Sequence, residues 1–485
     1  MKETKLSEIL RGITKEELIL FGDFVNSKAF NSNRNVVLLY NYIKSNFSRI
    51  AKNGISKNKI YKSIFKNEEI KESKYWKLTS AFCSLLEKFF VYRDFEGDVF
   101  YRYNLLLESY RERNLNNLFS ILCRDVSGRF QKEFNRGINY FVNTTHFYFQ
   151  KISYFGYDPA NNDENDIETL FENLRMLFIM ITITSVSIIS NFDNNFIHNS
   201  KAKLWMFDEV LSYLYRNRNR MKKNYPTIYV FFLIIYSKLY PEHESYYAEL
   251  KKSVLNIAPV LSGNLLRHIL LNMLNYAVKK LVKGKEKYLK EIFIINKIMH
   301  EKNLTFFGQY IQPEYFYSVV EHSAELNELD WINEFMDKYK IYLRKDHKET
   351  VINLSLSKIH FTKNEIDDSL KYLLKVNNIK PYFYIAQKIL LLQNYYEKND
   401  LRTIRHVMET LNKYLKRRKD IPEETALNCK KFNFYFRKIL KLKSSNDKMS
   451  LMEELNIEKY FMNKPWLMHK ANTKITFSPA NSRVN

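Results

Sequence analysis

The sequence predicts an all-α fold, in which repeated helix–turn–helix units follow an N-terminal helical region. Three observations carry this expectation. Only 10 glycines and 9 prolines occur in 485 residues, whereas strands in compact β and α/β folds are joined by Gly/Pro-rich turns. Apolar residues make up 45% of the chain, enough to bury a core and too many for disorder. Short polar turns recur at Lys283-Gly284, Leu326-Asn327-Glu328, Lys363-Asn364-Glu365 and Lys398-Asn399-Asp400, spaced 43, 37 and 35 residues apart between apolar helical runs. The length suits two or three domains or one extended array. The chain divides into an N-terminal helical region (1–157), middle helical hairpins (158–310), repeats (311–470) and a flexible tail (471–485).

Taken in order, Thr14 and Glu17 make a capping box for a helix carrying Leu18, Phe21 and Val25. The break over Asn26–Asn33 has neither glycine nor proline. Asparagine, the next best residue for a left-handed helix end, is expected to take the role of glycine there. The segment reads as an inter-helix corner with Phe24 and Phe30 tucked beneath it. Helices follow over Val36–Phe47, Lys57–Phe65 (capped by Ser56), Ser73–Val91, Tyr101–Glu112 and Leu115–Phe134. The acidic loop Asp158–Asp166 is the clearest boundary. Beyond it, Pro226, Pro313, Pro381 and Pro422 mark helix starts, where the missing N–H has no partner to lose. In the repeats, each polar turn is followed by a helix beginning near Tyr288, Leu329, Ile366 or Leu401. These four should be equivalent and buried, with Asn capping the second helix.

The unit around Asn364 resembles a tetratricopeptide repeat. Leu356, Ser357, Ile366, Ser369, Leu373, Val376 and Pro381 stand at that family's packing spacings, and Ser357 and Ser369 are small enough for close helix approach. Ile332 and Ile404 depart from the pattern, so the units are TPR-like but degenerate. The resemblance implies an elongated right-handed superhelix whose first helices line a concave groove. Carried onto this chain, that groove would present Glu314, Tyr317 and Glu321, then Lys358 and Phe361, then Gln393 and Tyr396, a mixture suited to peptide recognition. Tyr317, Phe361 and Tyr396 read equally as packing residues. A second resemblance spans the whole length. Phe24…Asn26-Ser-Lys-Ala-Phe-Asn31, Arg111–Leu115, Leu329–Phe335 and Lys464-Pro-Trp-Leu467 are similar to motifs of an uncharacterised group of bacterial helical-repeat proteins, which brings no activity with it.

Several chemistries are excluded or disfavoured. No two glycines lie closer than nine residues, so neither G-x-G-x-x-G nor a P-loop exists. The ten histidines lack HExxH and zinc-finger spacings. His360 falls where the repeat places an aromatic packing residue. The acidic loop lacks the glycine and distal glutamate of an EF-hand, which leaves Asp166 as a helix N-cap. No G-x-S-x-G elbow occurs. The expectation is a non-enzymatic protein without cofactor or metal. Cys83, Cys123 and Cys429 are scattered and read as buried thiols of a reducing compartment. The N-terminus has no apolar h-region, which argues against a signal peptide. Met176–Ile189 would span about 21 Å as a helix, short of a bilayer's roughly 30 Å, and reads as a buried core helix rather than a membrane span.

The formal net charge is +24, from 77 basic and 53 acidic residues. Either it serves nucleic acid, anionic lipid or an acidic partner, or it accompanies the general abundance of Lys, Asn, Ile, Phe and Tyr. It is densest at Arg216–Lys223, Lys279–Lys290 and Leu411–Lys448. Ile55–Phe90 could form a helix-turn-helix reader with Glu96–Asp98 as a wing tip, although Trp76, Leu78, Phe82, Leu85 and Leu86 leave the second helix little polar surface. The functional expectation is a cytoplasmic protein-interaction scaffold with a protein or peptide partner. The alternative is a nucleic-acid-associated protein.

Overall fold

The computed structural model describes residues 4–53, 56–65, 71–133, 136–155, 164–190, 206–306, 310–377, 380–418, 420–421, 423–458, 461 and 463–473. The expected helix start at Pro422, most of the acidic loop (158–163) and the tail beyond 473 lie outside them. The fold is all-helical, with 24 α-helices and no strand among the described residues. The chain forms two compact units, Met1–Leu177 and Phe178–Asn485.

The N-terminal unit begins with α1 (Lys5–Gly12), α2 (Lys15–Asn26), α3 (Arg34–Asn53), α4 (Lys57–Phe65) and α5 (Glu72–Gly97). Thr14 and Glu17 make the expected reciprocal cap of α2, with Glu17 N–H donating to Thr14 Oγ1 at 3.1 Å and Thr14 N–H to Glu17 Oε2 at 2.7 Å. Phe21, Leu39, Ile43, Tyr61, Phe82 and Leu86 form the heart of the core that these helices share. Gly22 permits a close approach: a Cβ there would lie 2.2 Å from Tyr40 Oη. The Asn26–Asn33 break is made by side chains, not by left-handed backbone. Asn31 Nδ2 donates to Val25 O at 2.9 Å, and the N–H groups of Asn33 and Asn35 bond to the side-chain oxygens of Asn31 and Asn33. These are Asx turns, an alternative partner for backbone that leaves a helix. Phe24 is buried as expected, but Phe30 lies exposed on top of it, the rings stacked at 3.8 Å.

Helix α5 runs longer than expected, and Trp76 is exposed instead of joining its apolar face. Glu96 and Gly97 end α5, and Asp98 caps the next helix by accepting from Tyr101 N–H at 2.9 Å. The proposed wing tip is therefore a helix junction. Helices α6 (Val99–Glu112), α7 (Asn116–Lys132) and α8 (Ile138–Phe155) close on a second cluster around Leu107, Phe119, Phe130 and Phe147. The next, α9 (Glu164–Ile189), is 26 residues long. Asp166 is its third residue, not its N-cap, and pairs with Lys151 at 2.6 Å. The apolar run is thus part of a helix long and apolar enough to cross a bilayer, so the length argument against a span falls. Met176, Met180 and Ile183 are buried, whereas Ile167, Phe171, Leu174, Phe178 and Ile181 are exposed.

The second unit continues through α10 (Phe207–Arg216), α11 (Arg218–Asn224), α12 (Pro226–Leu239), α13 (Glu244–Ile257), α14 (Gly263–Val282) and α15 (Lys287–Glu301). Every residue of α12 from Thr227 to Ser237 is buried, which is why its sequence is apolar all round. There follow α16 (Pro313–Glu325), α17 (Leu329–Tyr339), α18 (Lys345–Thr362), α19 (Ile366–Leu373), α20 (Pro381–Glu397), α21 (Leu401–Arg417), α22 (Glu423–Leu440), α23 (Ser445–Ile457) and α24 (Lys464–Thr473). Pro226, Pro313 and Pro381 each occupy a first helical turn.

The four polar turns share one construction. Gly284, Asn327, Asn364 and Asn399 take positive φ, at 88°, 59°, 62° and 55°. In each, the following N–H reaches back five residues, as Glu365 N–H does to His360 O at 2.8 Å, while the turn residue itself reaches back three. That is the Schellman motif. Asn114 and Asn303 end α7's predecessor and α15 in the same way. Asparagine therefore terminates the first helix instead of capping the second, whose N-caps are Glu328, Glu365 and Asp400. The expected burial after the turn is graded: Tyr288 is buried, Leu329 and Ile366 half-buried, and Leu401 52% exposed. The fully buried position lies five residues beyond the asparagine, at Ile332, Ser369 and Ile404. Between α18 and α19, Ser369 Oγ donates to Ser357 O at 2.9 Å, with the two hydroxyls 3.0 Å apart.

Candidate functional site

Four of the seven groove residues expected from the sequence come together. Tyr317 and Glu321 lie one turn apart on α16, Lys358 comes from α18 and Gln393 from α20, and all four line a cavity of about 40 Å³. Tyr382 adds a second phenol, Thr425 and Asn463 enter from the C-terminal part of the unit, and Ile385, Ile389 and Leu390 make the apolar wall. The volume holds one or two waters. Lys358 is only 7% exposed, and no hydrogen bond or ion pair within 4 Å meets its ammonium among the described residues. Burial pushes the Glu321 carboxyl up, against the pull of His322 and Lys358 and with Glu325 adding to the rise. Burial and the neighbouring Glu321 hold both Tyr317 and Tyr382 far above the ordinary phenol range. The arrangement can offer an ammonium donor and a carboxyl to one small polar group.

The other three lie elsewhere. Glu314 sits in the first turn of α16 and pairs with Lys380 at 2.7 Å. Phe361 is half-buried against the core shared by α20 and α21. Tyr396 packs on Phe436 and Trp466, at 5.7 and 5.5 Å. The C-terminal part of the chain itself covers the third unit's face: Gln393 Nε2 donates to Asn463 Oδ1 at 3.4 Å, and Lys470 pairs with Glu397 at 2.7 Å. Asn463 and Thr425 escaped sequence reasoning because nothing local links them to a helix some 40–70 residues earlier. Tyr382 had a signal, since it follows a proline that starts a first helix.

Two other places hold polar groups. A wide groove of about 1290 Å³ in the N-terminal unit is lined by Gly12, Glu17, Arg93 and Asp98. Three of the charged groups that line it are engaged, since Arg93 pairs with Glu17 and Asp98 accepts from Asn143 Nδ2 at 3.3 Å besides capping α6, and Asp94 lines it as well. At the Asn364 turn, donor atoms of His360, Glu365 and Asp368 lie within 4.8 Å of one another. His360 stacks flat on Tyr372 at 5.2 Å and its Nδ1 meets Glu365 Oε2 at 2.5 Å, an arrangement that ties the turn together.

Compared with known proteins, the chain matches no family model, no curated protein and no solved structure.

Proposed function

We propose that the chain is a non-enzymatic, cytoplasmic protein-interaction scaffold, built on a superhelical array of TPR-like hairpins, with its binding surface on the first-helix face of α16, α18 and α20. The observation that supports this is the convergence of Tyr317, Glu321, Lys358 and Gln393 from three successive first helices on one cavity. The Lys358 ammonium has the Glu321 carboxyl in its cavity but no direct hydrogen bond or ion pair among the described residues, and a partner side chain bearing a polar tip would complete it. Tyr382, 37% exposed, provides contact area at the rim, whereas Tyr317, 2% exposed, is part of the buried wall. Gln393 belongs to the inner wall of this site, while Phe361 and Tyr396 contribute stability and not recognition.

The test uses the full chain carrying a photo-crosslinking residue at Glu314, at the rim. Discrete protein adducts from the host are expected, to be confirmed by titration with the purified partner. Lys358→Met, which keeps the length of the side chain and removes the ammonium, should abolish binding while the chain still folds, and the exposed-surface control Ile457→Asp should retain it. Retained binding by the Lys358 variant would sink the assignment.

A further inference from the structure

A second surface, on α10 to α13, has a different chemistry. Four tyrosines gather there around the end of α12. Tyr215 and Tyr236 stack nearly parallel, 5.8 Å apart at 9°. Tyr236 also meets Tyr240 and Tyr246, each at 5.4 Å. Tyr236 is buried and acts as the base, while Tyr215 and Tyr240 are 43% and 44% exposed. His243 extends the aromatic surface, 6.4 Å from Tyr240 and 6.3 Å from Tyr246.

The densest basic run in the sequence, Arg216–Lys223, borders this platform. Arg216, Arg218, Arg220, Lys222 and Lys223 are all exposed. The Arg218 guanidinium lies 4.9 Å over the Tyr215 ring. The carboxylates nearby are occupied by lysines: Glu249 pairs with Lys222 at 2.6 Å, Glu242 with Lys283 at 3.5 Å, and Glu244 with Lys287 at 2.7 Å and Lys280 at 3.5 Å. Asp208 and Glu209 stand at the opposite end of α10, about 10 Å from Arg216 along its axis. Positive charge therefore dominates beside the two partly exposed rings.

We infer that this surface binds single-stranded nucleic acid, with bases stacking on Tyr215 and Tyr240 and phosphates running along Arg216–Lys223. Partly exposed aromatic rings, with an arginine already laid over one of them, suit unstacked bases, which a duplex does not present, and flanking cations track the backbone between them. An acidic protein segment or an anionic membrane would use the cations and leave the rings idle, so ring dependence separates the occupants.

The experiment is fluorescence anisotropy of the full chain with a labelled oligothymidylate of about 20 nucleotides. The comparisons are a duplex of the same length, polyglutamate and phosphatidylserine vesicles. Binding of the single strand is expected to weaken roughly fiftyfold between 50 and 200 mM salt, as about four phosphate contacts imply. Tyr215→Ala with Tyr240→Ala should cost tenfold or more, and the corresponding Phe substitutions should restore affinity. Arg216→Gln with Lys223→Gln, both exposed and neither laid over a tyrosine ring, should weaken binding and flatten the salt dependence. No binding at 50 mM salt would overturn the inference. So would affinity that ignores the tyrosines, or equal binding of duplex, polyglutamate or vesicles.

Discussion

Asn327, Asn364 and Asn399 hold φ near +60°, where a β-carbon crowds the following carbonyl at a cost of about 1–2 kcal/mol for most residues. Asparagine and glycine bear that conformation best. Asn364→Ala should therefore destabilise by about 1 kcal/mol, and Asn364→Gly should be close to neutral, both read from urea unfolding. Equal effects would mean that the turn is not what limits asparagine's replacement. Glu321 offers a pH test. Its carboxyl is pushed up chiefly by burial, so the folded state holds the proton more tightly than the unfolded chain. The Glu321 contribution to stability is then full below about pH 4.3 and is lost as the pH rises through the raised value. Glu321→Gln should match the parent at pH 4 and melt at a higher temperature by pH 7. At this scale the sequence was readable where chemistry is local. Scarce glycine pointed to asparagine as a helix terminator, yet the side-chain turns at Asn31 and Asn33 and the true N-caps Glu365 and Asp400 needed backbone angles to be seen.

The hairpin of α18 and α19 is closed by a pair of serines, and the equivalent positions in its neighbours carry Ile332 and Ile404, both fully buried. The same site thus has two sizes, each fitted to its own helix spacing. Ser369→Ile should overpack and destabilise by about 1–3 kcal/mol. Ile404→Ser should leave a void and cost about 2–4 kcal/mol. Calorimetry of both variants checks the pair, and tolerance of either exchange would show the spacing to be plastic. Helix existence was legible from periodicity and from proline at Pro226, Pro313 and Pro381. Helix ends were less so: α5 ran on past Val91 to Gly97, and α9 began at Glu164, well before the apolar run that starts at Met176.

Across the whole molecule, Cys83, Cys123 and Cys429 are free and buried. Burial pushes their thiols up to about 11, 12 and 12. Thiolate is therefore scarce at pH 8, and a disulfide reagent such as dithionitrobenzoate should label none of them in the native protein and all three in urea. Fast labelling of one would expose a local opening around it. The candidate site was half-readable: a shared turn located the residues of three first helices, whereas the enclosure by Asn463 depends on distant packing that no period encodes. The same contrast orders the chain's assembly in time. The Ser357–Ser369 bond spans 12 residues, and the Gln393–Asn463 bond spans 70. Loop closure for the longer costs roughly 1.5 kcal/mol more entropy, and local contacts form faster. Hairpins with their own terminators close first, and the cavity is sealed only when the last helix returns.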